Sequence, residues 1–218
     1  MKKLRIGILI SGGGSNMAAL VKAAGEADFP AEVAVVVSNR AGAGGLAKAE
    51  AAGIATAVID HKAFPDREAF DAAIDETLAA HGVEFVCLAG FMRLLTEGFV
   101  TRWHNRMINI HPALLPLFKG LNTHQRALDA GVKFHGATVH FVRFGMDEGP
   151  IIAQGAVPVL ASDDAATLAA RVLGAEHRIY PLALRLVASG RARVEGEKVV
   201  CEDMGEPPGA MIWPSETT

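Results

Sequence analysis

Leu4-Arg5-Ile6-Gly7-Ile8-Leu9-Ile10, followed at once by Ser11-Gly12-Gly13-Gly14-Ser15-Asn16, is the stretch on which the fold turns. The first seven residues form the near-continuous apolar run of a buried strand. The glycines that follow make a turn, and Asn16–Ala27 then has the Ala-rich, amphipathic spacing of a helix. The same alternation continues along the chain. Glu32–Ser38, Ala55–Ile59 and Phe85–Ala89 read as strands, separated by helical patterns over Gly44–Ala52 and Asp66–Ala80. This predicts an α/β fold, a doubly wound and mostly parallel sheet with right-handed crossovers. Ligands of such sheets lie at the carboxyl ends of the strands.

The second half changes texture. Met107–Ile110 is a short strand ended by Pro112 and a Pro/Leu-rich loop through Lys119, and Thr123–Ala130 is a helix for which Thr123 is the candidate cap. Gly136–Phe144 alternates in the β manner, turns at Asp147-Glu148-Gly149-Pro150 and returns over Ile151–Val159, so antiparallel strands are expected in the C-terminal half. Asp163 and Asp164 stand where an N-cap belongs for a long helix from Ala165 to about Ser189, with Pro181 a candidate kink. A short hairpin follows from Arg191. The expected organisation is one domain over residues 1–200 and a loose Pro/Gly tail over 201–218.

Composition narrows the class. Half of the 218 residues are hydrophobic, 21% are charged and the formal net charge is −3. This is a globular composition with no general field for nucleic acid or a membrane, so an anionic ligand would need a local site. The apolar run Ile6–Ile10 is too short for a signal core, and no stretch approaches the roughly 20 apolar residues of a membrane span. Cys87 lies in an apolar run and reads as a small buried thiol. A reducing cytoplasm is the expected location.

Three segments carry chemistry. The Ser11–Asn16 loop lets the backbone come close to a ligand and offers helix N-terminal N–H groups to an anion; its plainer reading is a tight turn with Ser or Asn as cap. A dinucleotide fingerprint fails, because Met17 occupies its third glycine position and the second strand ends in Ser38-Asn39 without an acid. No lysine follows in P-loop spacing, which leaves a mononucleotide phosphate as the better guest. In Asn109-Ile110-His111-Pro112 the polar pair shares one face of a strand end, where an amide N–H and an imidazolium suit a developing oxyanion. Its plainer reading is a satisfied structural histidine. Asp147 is either turn chemistry or a carboxylate brought by a loop to His111, where it would favour the charged ring and orient it. His111, His124, His135 and His140 show no familiar metal-ligand spacing.

Taken together, Leu9–Asn16, Leu88-Ala89-Gly90-Phe91-Met92-Arg93-Leu94-Leu95, Asn109-Ile110-His111-Pro112 with its Leu-Leu-Pro extension, and Gly136-Ala137-Thr138-Val139-His140 strongly resemble the phosphoribosylglycinamide formyltransferases. The likeness runs from about residue 4 to residue 195, with the motifs in family order. It implies a Rossmann-like formyltransferase fold, 10-formyltetrahydrofolate as donor, the amine of phosphoribosylglycinamide as acceptor, and neither metal nor ATP. It implies Asn109, His111 and Asp147 as catalytic residues, and Gly14, Ser15, Asn16 and Glu176 as ribotide contacts. The folate contacts it implies are Arg67, Met92, Arg93, Leu94, Leu95, Asn109, Arg143, Phe144, Gly145, Met146 and Asp147. Residues 1–105 then form a phosphate-binding half and 106–200 a catalytic and folate-binding half. Small molecules are the expected partners, without nucleic acid or membrane; a homodimer is left open. Asn122 and Leu173 depart from the pattern, which carries His at the first position and a polar residue at the second, and so bear on ribotide contacts. Two kinds of enzyme share the formyl-folate chemistry. A tRNA formyltransferase would append a basic domain and a formyltetrahydrofolate hydrolase would place a regulatory one in front; neither is expected here. A non-catalytic nucleotide-binding module would explain the glycine loop but not the Asn109, His111, Asp147 set.

Overall fold

A computed structural model describes residues 2–205 and 209–214. Part of the tail expected over 201–218 therefore lies outside the described residues. The chain forms a seven-stranded sheet and a separate two-stranded hairpin. The strands are β1 (Leu4–Ile10), β2 (Ala31–Ser38), β3 (Thr56–Val58), β4 (Phe85–Leu88), β5 (Met107–His111), β6 (Phe134–Phe141) and β7 (Ile151–Pro158), with β8 (Ala192–Glu195) and β9 (Lys198–Cys201) in the hairpin. The helices are α1 (Ser15–Ala24), α2 (Gly44–Ala51), α3 (Arg67–Ala80), α4 (Glu97–Arg102), α5 (Thr123–Asp129) and α6 (Ala165–Ala188).

The large sheet runs β3-β2-β1-β4-β5-β6-β7. Pairing is parallel from β3 through β5 and antiparallel across β5-β6-β7, as the change of texture predicts. The order reverses between β1 and β4, so a crevice opens at their carboxyl ends, where the glycine loop and the 89–95 segment emerge. Both faces are covered. Ile6, Ile8, Ile10, Ile108 and Ile110 pack with Tyr180 and Leu184 of α6, while Leu9, Val86, Leu88 and Met107 pack with Phe70, Ile74 and Phe99 of α3 and α4. Period-two alternation in β1 and β5 thus feeds two apolar layers, which is why these strands read as continuous apolar runs.

Several boundaries differ from the sequence reading. α1 stops at Ala24 rather than Ala27, where Gly25 caps its last carbonyls. α4 has no counterpart in the sequence reading: it is a six-residue helix started by Thr96, whose hydroxyl accepts from the N–H of Phe99. α5 is preceded by Asn122 in the left-handed region, so Thr123 is its first residue rather than its cap. α6 has the expected cap, Asp164 in a reciprocal box with Thr167, and continues through Pro181 to Ala188. β6 ends at Phe141, which releases residues 142–149 into the turn loop. No described helix is long and apolar enough to cross a membrane.

Candidate active site

The glycine loop joins β1 to α1 as predicted, but the glycines divide the work differently. Gly14 has φ +66 and precedes α1 without any side-chain cap, so the free first-turn N–H groups face outward. A Cβ on Gly14 would lie 2.8 Å from the Cα of Gly45 on α2. Its conformation and the close approach of α2 therefore both demand glycine. Gly12 and Gly13 have open space around them, and these are the positions where a ligand could approach the backbone. α2 is held to the loop by Gly45 N–H donating to the Gly12 carbonyl (3.0 Å). Lys48 Nζ donates to the Gly13 carbonyl (2.7 Å), which sets a cation beside the loop. Lys48 is not legible from P-loop spacing, because it stands on the next helix.

Asn16 and Glu176, far apart in sequence, meet across α1 and α6: Asn16 Nδ2 donates to Glu176 Oε2 at 2.5 Å. Both are buried, and Asn16 Oδ1 has no partner among the described residues. Burial pushes the Glu176 carboxyl up, and the Asn16 bond and nearby His177 and His111 oppose this.

Asn109 and His111 lie at the carboxyl end of β5, with His111 its last residue. The antiparallel register sets Asn109 directly opposite His140, and Asn109 Nδ2 lies 3.4 Å from His140 Nε2. His140 Nδ1 lies 2.9 Å from the Phe141 carbonyl, a contact that fixes the ring proton on Nδ1. Burial pushes the His140 pKa down, keeping the ring neutral, so Nε2 offers Asn109 a lone pair. The Asn109 amide is therefore oriented with one N–H on His140 and its second N–H without a partner among the described residues. His140 was quoted in a motif but given no role, since cross-strand register is invisible to spacing.

His111 is held at both nitrogens. Nε2 lies 3.0 Å from the Phe118 carbonyl and Nδ1 lies 3.4 Å from Asp147 Oδ2. The same Asp147 oxygen accepts the Gly120 N–H at 2.7 Å. Asp147 has φ +52, a strained position fixed by these contacts. Lys119 and Glu148 close the two loops at 2.8 Å. Thr138, opposite His111 in β6, ties down the Pro/Leu loop by donating to the Ala113 carbonyl and accepting from Leu115 N–H. The loop expected to bring Asp147 to His111 does so, but His111 donates to a new oxygen only after leaving the Phe118 carbonyl.

Beside Asn109 lies a cavity of about 140 Å³. Of the predicted folate contacts, Arg93, Leu94, Leu95, Asn109, Arg143, Phe144, Gly145, Met146 and Asp147 line it. Leu88, Phe91, Val100, His140 and Val142 join them. Leu94, Phe144 and Met146 are exposed apolar side chains at its mouth, where a planar apolar ligand would cover them. Met92 is not among the lining residues, is 59% exposed, and contributes its backbone N–H to Ser11 Oγ. Arg67 starts α3, is exposed and does not line the cavity. The Arg143 guanidinium is committed to Glu197 (3.2 Å) and Asn105 (2.9 Å), so it anchors the loop. Cys87 is fully buried and its thiol is pushed up by burial, the inert state expected of it. Among the described residues no group of three or more His, Cys, Asp or Glu is placed to hold a metal ion.

Residues 4–184 match the family model described as formyl transferase. The chain is 42% identical to the phosphoribosylglycinamide formyltransferase of Escherichia coli K12 over 205 residues, which covers 94% of this chain and 97% of that one. It is 52% identical over 200 residues to the trifunctional purine biosynthetic protein adenosine-3 of Bos taurus, covering 92% of this chain but only 20% of that protein's length. The solved structure of glycinamide ribonucleotide transformylase 1 from Symbiobacterium toebii superposes with a TM-score of 0.90 at 52% identity, covering 92% of this chain and 95% of that one.

Proposed function

Since the chain belongs to the formyl transferase family, we propose that it carries the formyl group of 10-formyltetrahydrofolate to the amine of 5'-phosphoribosylglycinamide in purine biosynthesis. The near full-length likeness to a phosphoribosylglycinamide formyltransferase supports the reaction. The observation that carries the site is the convergence of Asn109, His111 and Asp147 beside the cavity.

The ribotide phosphate lies on the Gly12–Asn16 loop, with Lys48 as its cation and Glu176 on the ribose side. The pterin enters the cavity between Leu94, Leu95 and the 143–147 loop. The amine lone pair attacks the formyl carbon, and the carbonyl π pair moves onto oxygen. The free N–H of Asn109 receives that oxygen without rearrangement, which makes it the preorganised donor. His111 adds a charge-assisted bond once it exchanges the Phe118 carbonyl for the oxyanion. Asp147 supports the charged ring and helps a water take the proton that the attacking amine must lose. Collapse re-forms the carbonyl and breaks the bond to folate N10, which leaves with a proton. The chain's own residues thus bind, orient and stabilise charge, and no nucleophilic side chain is used.

Purified protein with 10-formyltetrahydrofolate and phosphoribosylglycinamide should release deformylated folate only when the ribotide is present. Release without ribotide would mark a hydrolase instead. Melting that responds to nucleotides but not to folate analogues would mark a binding module.

A further inference from the structure

Ser11 is the one side chain between β1 and the glycines, and it is bonded on three sides. Its N–H donates to the Gly90 carbonyl at 3.2 Å. Its hydroxyl donates to Asn39 Oδ1 at 2.6 Å and accepts the Met92 N–H at 2.8 Å. The side chain is buried, and Asn39 beside it is buried as well. Gly12, Gly13 and Gly14 have no side chains with which to hold the loop to its surroundings. The segment that would receive the phosphate is therefore attached to the segment that walls the cavity through Ser11. Met92 contributes only its backbone there, and its neighbours Phe91 and Arg93 line the cavity.

We propose that Ser11 is a positioning residue that couples the two substrate sites, so that ordering the glycine loop around a phosphate also sets the 90–93 turn for the folate. Ser11 touches neither substrate. It acts through the Met92 N–H on one side and the Gly12 backbone on the other, and Asn39 fixes the direction of its single hydroxyl proton. A hydroxyl suits this place because it donates and accepts at once. Alanine would remove the acceptor of the part-buried Met92 N–H and the donor to the buried Asn39 Oδ1, which loosens the turn relative to the loop. The inference rests on the placement of ribotide at Gly12–Asn16 and of folate in the cavity.

The test is calorimetric. The affinity of a non-reactive folate analogue is measured with and without saturating phosphoribosylglycinamide, in the wild type and in Ser11→Ala. The wild type should show a coupling of about 5-fold or more, the lower end of common site-to-site coupling. Ser11→Ala should bring that ratio close to 1, even if both separate affinities also weaken. A role confined to stability would lower affinities and leave the ratio unchanged, and that result overturns the proposal, as does a wild-type ratio of 1. Failure of either ligand to bind the wild type at all would instead count against the placement of the sites. Should Ser11→Ala not fold, Ser11→Cys, whose thiol fills the space but is a weak donor and acceptor, carries the same expectation.

Discussion

Asp147 Oδ2 stands 3.4 Å from His111 Nδ1 while accepting the Gly120 N–H at 2.7 Å. One carboxylate oxygen thus serves both a loop backbone and the His111 ring. The two roles separate in Asp147→Asn, because the amide oxygen still accepts from Gly120 but the charge is gone. We expect a folded protein with an unchanged melting profile and a single-turnover rate lower by about 10²-fold or more. A rate close to wild type would leave Asp147 as a turn residue that holds the 117–121 loop.

The Asn109–His140 pair gives a second outcome. Asn109→Ala removes the free donor and should lower kcat by about 10²–10³-fold; Asn109→Asp should be no better, since a carboxylate repels the oxyanion. His140→Ala keeps Asn109 but frees its amide to turn. It should lower kcat by roughly 10-fold or more, within the cost of misplacing one oxyanion donor, while folate-analogue affinity changes little. If His140→Ala weakens the analogue as much as it slows the reaction, His140 shapes the cavity rather than the amide.

Two adjacent glycines should behave oppositely. Gly13→Ala places its Cβ in open space, so stability should stay within about 0.5 kcal/mol while the ribotide KM rises. Gly14→Ala puts Cβ against Gly45 at a φ of +66, which costs about 1–2 kcal/mol for the left-handed conformation alone. That variant should melt lower whatever its KM. Competition by the unphosphorylated riboside completes the test: equal competition with the ribotide would reduce the loop to a turn.

The parallel half of the fold was legible because each strand is a short apolar run beside a longer amphipathic one, and β1 through β4 and α1 through α3 follow from that alone. α4 was missed because six residues carry less than two helical turns of pattern, and its start depends on Asp71 from α3, which accepts from both Thr96 N–H and its hydroxyl. The set Asn109, His111 and Asp147 was legible as a candidate site from strand-end placement and resemblance. Its support was not: His140, Thr138, Gly120 and Ser11 act through register or through loops that meet only in three dimensions. Lys48 was missed for a related reason, since it reaches the glycine loop from a helix two elements on. Arg143 lines the cavity as expected, but its ties to Glu197 and Asn105 come from loops that spacing does not connect.

The last expected outcome concerns acid. His135 is 0% exposed, and neither ring nitrogen has a well-formed partner among the described residues; the Pro112 backbone favours its charged form. His124 stands edge-on at 5.3 Å and Phe118 at 5.8 Å between ring centres, and His111 adds like charge. Burial foremost, then His124 and His111, push the His135 pKa down to about 4 from 6.5. The unfolded chain therefore takes up a proton below about pH 6.5 that the folded chain refuses until about pH 4, so stability falls as pH falls through that window. The loss from His135 is at most about 3.5 kcal/mol, at about 1.4 kcal/mol per pH unit. Burial lowers His124 and His140 in the same direction, while Glu176, pushed up by burial, gains stability as pH falls. The readout is therefore the difference between wild type and His135→Leu, not the slope of either curve. Thermal melts from pH 7.5 to 4.5 should show the variant losing less Tm than the wild type, by about 2–4 °C per kcal/mol recovered. Parallel curves would mean that a bound water or a shifted loop satisfies the ring, and that His135 enters acid unfolding no more than any surface histidine.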